Sequence, residues 1–124
     1  MIDIQDLPKL QTLSFTGQNE IIGTNCRINI HFSTLPQLSS LTIEHSYLPS
    51  MMVIPIPLKR LVLESCWGCK TLELLSSVNQ LSLKYQDLDY LVLHAPAKIV
   101  HISYSKMKNV ERTYESRTII PTNK

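Results

Sequence analysis

Five stretches of the chain share one spacing of apolar residues, the second three positions after the first and the third two positions after that. They are Leu10, Leu13 and Phe15; Leu38, Leu41 and Ile43; Leu58, Leu61 and Leu63; Val78, Leu81 and Leu83; and Ile99, Ile102 and Tyr104. The central members, at 13, 41, 61, 81 and 102, are separated by 28, 20, 20 and 21 residues. A Leu-x-Leu pair puts two side chains on one face of an extended segment and the intervening one on the other. The leading apolar residue then comes from the turn into the strand. A unit of about 20 residues cannot bury its apolar edge alone, so neighbouring units must stack around a shared core. The chain is therefore predicted to be a repeat solenoid, rich in β-structure.

The segments between these units are also apolar, with Ile28 and Ile30, Val53 and Ile54, Leu72 and Leu74, and Leu91 and Leu93. CRINIHF alternates and reads as a strand, whereas TLELLSSV can form one helical turn. Prolines at 36, 49, 55, 57 and 96 fall between the strand candidates, where a missing amide hydrogen disturbs no ladder. The expected organisation is a solenoid of about five units over residues 1–107, followed by a polar C-terminal tail or cap over 108–124. The longer first interval implies an insertion around Gly17 to Asn25, a loop overhanging the sheet face.

The LxxLxL spacing over roughly residues 7 to 107 resembles the leucine-rich repeat family. That resemblance implies a curved solenoid with a parallel sheet on one face and short irregular or strand-like returns on the other, built to bind a partner protein across its concave sheet. In the family the repeat continues with an Asn or Cys position, which here falls on Gln18, Ser46, Cys66, Gln86 and Met107, so only Cys66 matches. The next apolar position is met by Leu48 and Leu88 but not by Glu20, Gly68 or Asn109. VIPIPLKRLVL is similar to leucine-rich effectors that bacteria deliver into host cells, and SCWGC with LKRLVLESC to plant F-box receptor repeats.

Several function classes lack their usual signals. The net charge of +2 arises from 12 basic and 10 acidic residues without long runs, so no clustered basic face for nucleic acid is expected. No uninterrupted apolar stretch of about 18 residues spans a bilayer, and the acidic start MIDIQDLPKL lacks the basic head of an export signal. Three cysteines, Cys26, Cys66 and Cys69, are not the even framework of a stapled extracellular module, which points to a cytoplasmic setting, or a host cytosol for a delivered effector. Glycines at 17, 23 and 68 form no phosphate loop, and no nucleophile elbow or helically spaced His pair is present, so no enzymatic activity is expected. Cys66-Trp67-Gly68-Cys69 supplies two of the roughly four ligands a structural zinc needs, so neither metal nor other cofactor is expected. The same motif supports the alternative function, a thioredoxin-like thiol-disulfide protein in which RLVLE is a strand and CWGC opens a helix. Its Trp and Gly stand where that family has other residues.

Outward-facing strand positions should form ranks across the units. One rank is Thr12, Ser40, Arg60, Gln80 and His101; the next is Ser14, Thr42, Val62, Ser82 and Ser103; the third is Thr16, Glu44, Glu64, Lys84 and Ser105. His45, Tyr85 and Lys106 follow directly. The expected partner-binding residues are Arg60, Glu64, Gln80, Lys84, Tyr85, Glu44, His45 and His101, with Arg60 and Tyr85 as anchors of large contact area. Association of copies through the solenoid ends is a further expectation, because an open terminal repeat exposes core and sheet edge.

Overall fold

The Leu-x-Leu pairs lie on strands, and so do the returns. A computed structural model describes residues 2–17 and 27–114. Eleven strands follow one another among the described residues: β1 (Ile2–Ile4), β2 (Thr12–Thr16), β3 (Ile28–Ile30), β4 (Ser40–Glu44), β5 (Met51–Ile54), β6 (Leu58–Glu64), β7 (Thr71–Leu74), β8 (Val78–Lys84), β9 (Asp87–Leu93), β10 (Ala97–Ser103) and β11 (Lys106–Arg112). A 3-10 turn at Phe32–Thr34 is the only helical element among the described residues. TLELLSSV therefore supplies β7 and a corner rather than a helical turn.

Strands pair with the strand one coil away. Sheet one has the order β2-β4-β6-β8-β10, sheet two the order β5-β7-β9-β11, and β1 pairs with β3. Every pairing is parallel. The result is a two-sided β-solenoid of about four turns, each coil from β4 onward giving one strand to each main sheet, while the return after β2 is β3, which pairs with β1.

The inner faces of the two sheets make the core. Sheet one contributes Leu41, Ile43, Leu61, Leu63, Leu81 and Leu83, and sheet two contributes Met52, Ile54, Leu72, Leu74, Leu91 and Leu93, all buried. Leu38, Leu58 and Val78, the leading residues of three LxxLxL units, close one side of this layer. Burying each such side chain stabilises the fold by roughly 1.5–3 kcal/mol before conformational entropy is counted.

Between the two sheets the chain turns through the left-handed region at the same place in successive coils, at His45 (φ 51), Ser65 (φ 53), Tyr85 (φ 54) and Tyr104 (φ 50). The residue after each points inward. Ser46 Oγ donates to the Glu44 carbonyl at 2.9 Å, Cys66 Sγ to the Glu64 carbonyl at 3.5 Å, and Ser105 Oγ to the Ser103 carbonyl at 2.9 Å. Each of these contacts bridges the left-handed residue and fixes the bend. Gln86 behaves differently: its Oε1 accepts from the Cys66 amide at 2.7 Å and its Nε2 donates to the Cys66 carbonyl at 3.3 Å, tying two coils together.

The last coil departs from the expected register. Val100, not Ile102, pairs with Leu81, and Ile102 pairs with Leu83. The repeat shortens because Thr71 pairs with Tyr90, one residue fewer than the 20 between Arg60 and Gln80. The inward polar position of this coil is accordingly Ser105, not Met107, and Met107 pairs with Leu88 as an apolar residue. The boundary expected at 107 falls inside β11, whose pairing with β9 runs to Arg112. Gln18, Cys26 and all of the expected overhanging loop except Gly17 lie outside the described residues, as does the chain from 115 onward.

Candidate binding face

Sheet one is covered by the core on one side only. Its strands read as buried, two outward, buried, one outward, buried, as in Leu58-Lys59-Arg60-Leu61-Val62-Leu63. Two adjacent outward positions per coil therefore precede the central leucine, and stacking the coils converts them into two parallel columns.

The first column runs Thr12, Ser40, Arg60, Gln80 and Ile99. Arg60 and Gln80 are thus neighbours and both exposed, as the sequence implied, but His101 is not in their rank. It pairs with Ser82, in the rank of Ser14, Thr42 and Val62, because of the shortened last repeat. The preceding column, Ser39, Lys59, Asn79 and Lys98, went unrecognised in the sequence, although the signal was available in the paired x positions of LxxLxL. Lys59, Arg60 and Lys98 take part in none of the ion pairs among the described residues. They line one groove of about 510 Å³ with Ser39, Ser40, Asn79 and Gln80.

Across the face the chemistry changes. Thr16, Glu44, Glu64, Lys84 and Ser103 form the rank nearest the left-handed corner, so Ser103 stands where Ser105 was expected. Glu44 and Glu64 are directly opposite one another, and Glu44 Oε1 accepts a hydrogen bond from Thr16 at 3.1 Å. Like charges placed so cost stability, and nothing in the core requires them there.

The corner beside this rank is aromatic. Tyr85 and Tyr104 stack with ring centroids 5.0 Å apart at 12°, and Lys84 Nζ stands 5.7 Å from the Tyr85 centroid, within cation-π range. One residue beyond the inward position, Tyr47 and Trp67 pair across two coils at 5.3 Å. Tyr85 is 52% exposed and Tyr104 74%. His45, at the same corner, is less open, and its Nδ1 is buried without a hydrogen-bond partner.

The two described cysteines belong to the core. Cys66 Sγ also donates to the Ile43 carbonyl at 3.3 Å, and Cys69 Sγ donates to the Thr71 carbonyl at 3.3 Å. Burial pushes both thiols up to about 11, the reverse of the acidic shift that makes a thiol a good nucleophile. Gly68 adopts φ 90, with the Leu48 carbonyl 2.8 Å from where a Cβ would stand. The motif is a corner of the third coil and does not open a helix. Among the described residues no group of three or more His, Cys, Asp or Glu is placed to hold a metal ion, and no helix is long and apolar enough to cross a membrane.

Two further networks lie away from this face. On sheet two His94 Nε2 pairs with Glu73, while its Nδ1 meets Thr113 Oγ1 at 2.7 Å. Near the N-terminus His31 Nε2 lies 3.1 Å from Asp3, an arrangement that, with Asn29, holds the Asp3 carboxyl below its usual range. Both join adjacent coils side by side. No protein-family model, curated protein sequence or solved structure matches the chain.

Proposed function

We propose that the protein is a non-enzymatic scaffold of the leucine-rich-repeat type that binds a partner protein through the outward face of sheet one. The observation that carries this reading is the register: five parallel strands align Arg60, Gln80, Glu44, Glu64 and Lys84 in ranks that the core does not use. Flanking aromatic rings at Tyr85 and Tyr104 add rigid contact area of the kind that dominates interface energetics. Free, protonated thiols at Cys66 and Cys69 suit a reducing compartment.

The test is affinity capture from cytosol with the unaltered chain, the Arg60→Glu/Tyr85→Ala variant, and a Lys108→Glu control on sheet two. Loss of one partner from the face variant alone supports the reading; identical partner lists from all three overturn it. A second reading, association of copies through the solenoid end, is favoured by the inward positions Val100, Ile102 and Val110 of the last described coil, which stay 44–49% exposed. Sedimentation across a dilution series checks it, and a monomer at every concentration refutes it.

A further inference from the structure

The groove beneath the three cations does not stop at sheet one. A second cavity of about 440 Å³ lies at the corner between the sheets that is opposite the left-handed one, lined by Pro36, Leu38, Ile56, Pro57 and Leu58. Both cavities include Ser39, Lys59 and Asn79, so they form one continuous groove with an apolar half and a cationic half. No acidic residue lines either part. Each is within the range that accommodates a small ligand or a few side chains.

We propose that this groove is the docking site for an extended acidic peptide segment of a partner protein, with one apolar side chain seated by Ile56 and Pro57 and carboxylates on Lys59, Arg60 and Lys98. The inference rests on the face-binding reading and names the class of partner. Three features favour this occupant. Lys59 and Lys98 are two strands apart, about 10 Å, which suits carboxylates two or three residues apart on an extended chain. Arg60 presents a planar fork that accepts a carboxylate through two hydrogen bonds. Neighbouring Ser, Asn and Gln side chains supply further donors and acceptors to a peptide backbone. Glu44 and Glu64, on the other side of the same face, oppose a long polyphosphate chain laid across it, so a short acidic segment fits better than nucleic acid.

The test uses the full chain and a fluorescent peptide of about ten residues in which Asp and Glu flank a single Leu, read by polarisation. Controls are the same peptide with Lys for the acids, the same with Ser for Leu, and oligo-dT. Binding of the acidic peptide is expected, weakened at least tenfold by the Lys59→Glu/Arg60→Glu/Lys98→Glu variant and unchanged by Lys108→Glu. It should also weaken when Leu is replaced, and between about 0.05 and about 0.5 M salt. Circular dichroism and thermal melts matching the unaltered chain establish that the triple variant is folded; if it is not, Arg60→Gln takes its place with the same expected direction. No binding of the acidic peptide, equal binding by the charge-reversed variant, or tighter binding of oligo-dT overturns the proposal. If the acidic peptide fails while the Arg60→Glu/Tyr85→Ala variant still loses its captured partner, the face stands and only the partner class is wrong.

Discussion

At Gly68 the chain has no room for a side chain and a backbone angle that side chains resist. Gly68→Ala should cost about 1–3 kcal/mol, seen as a lower denaturant midpoint with an unchanged slope. The inward corner position tolerates more, because what it requires is a donor for the carbonyl two residues back. Ser46, Cys66 and Ser105 all meet that need, so Cys66→Ser should shift stability by no more than about 1 kcal/mol. Gln86→Leu is different, since it leaves the Cys66 amide without its buried acceptor, and should cost about 1–3 kcal/mol. The thiols set a pH response with a definite sign. Their folded pKa of about 11 lies above the value in the unfolded chain, so their contribution is complete below about pH 9 and is lost as pH rises toward 11. Alkaline unfolding of the Cys66→Ser/Cys69→Ser variant should accordingly be shallower than that of the unaltered chain through this window.

Strands and coils behave as the spacing of leucines requires, with one exception at the end. Leu61, fully buried between Leu41 and Leu81, should cost about 2–5 kcal/mol on replacement by Ala. In the last coil, Ile102→Asp should destabilise more than Ile99→Asp, by about 0.5–1 kcal/mol, because both are nearly half exposed but Ile102 covers the buried Leu83 whereas Ile99 lies beside the exposed Gln80. AKIVHISY fits LxxLxL as Ile99, Ile102 and Tyr104, and a slip of two residues leaves Ile102 facing inward in either register, so the pattern alone could not distinguish the two. The missing residue is lost before β9, where no apolar position marks it. Solenoid architecture, the core leucines and the Arg60–Gln80 pairing were all legible in the sequence. The strand character of the returns was legible at CRINIHF, where β3 lies, but not at Met51-Met52-Val53-Ile54, which is apolar throughout and hides the alternation. Lys59, Asn79 and Lys98 were hidden for another reason: a strict two-residue period assigns only one of each adjacent pair to the outer face, whereas here the Lys59 and Arg60 amides both donate to the Ser39 carbonyl and both residues are exposed.

Across the whole molecule each coil touches chiefly the coils beside it, so stability should grade from the middle outward. Amide exchange should be slowest in β6 and β8, which have a strand on both sides, and faster in β10 and β11, which are edge strands among the described residues. Uniform protection across all coils would show that opening is a single global event. The same linear logic bears on the left-handed corners. Because the bends at His45 and Ser65 are each closed by their own inward residue, Ser46 and Cys66, the segment from the first bend to the second is a cassette of about 20 residues that is compatible with itself at both ends. Duplicating or excising one such cassette changes the length of the molecule by about 4.8 Å and the number of binding ranks by one, while every junction keeps the geometry it had. Reach along the solenoid axis is therefore a quantity that can be tuned in steps, separately from the chemistry displayed on any single step.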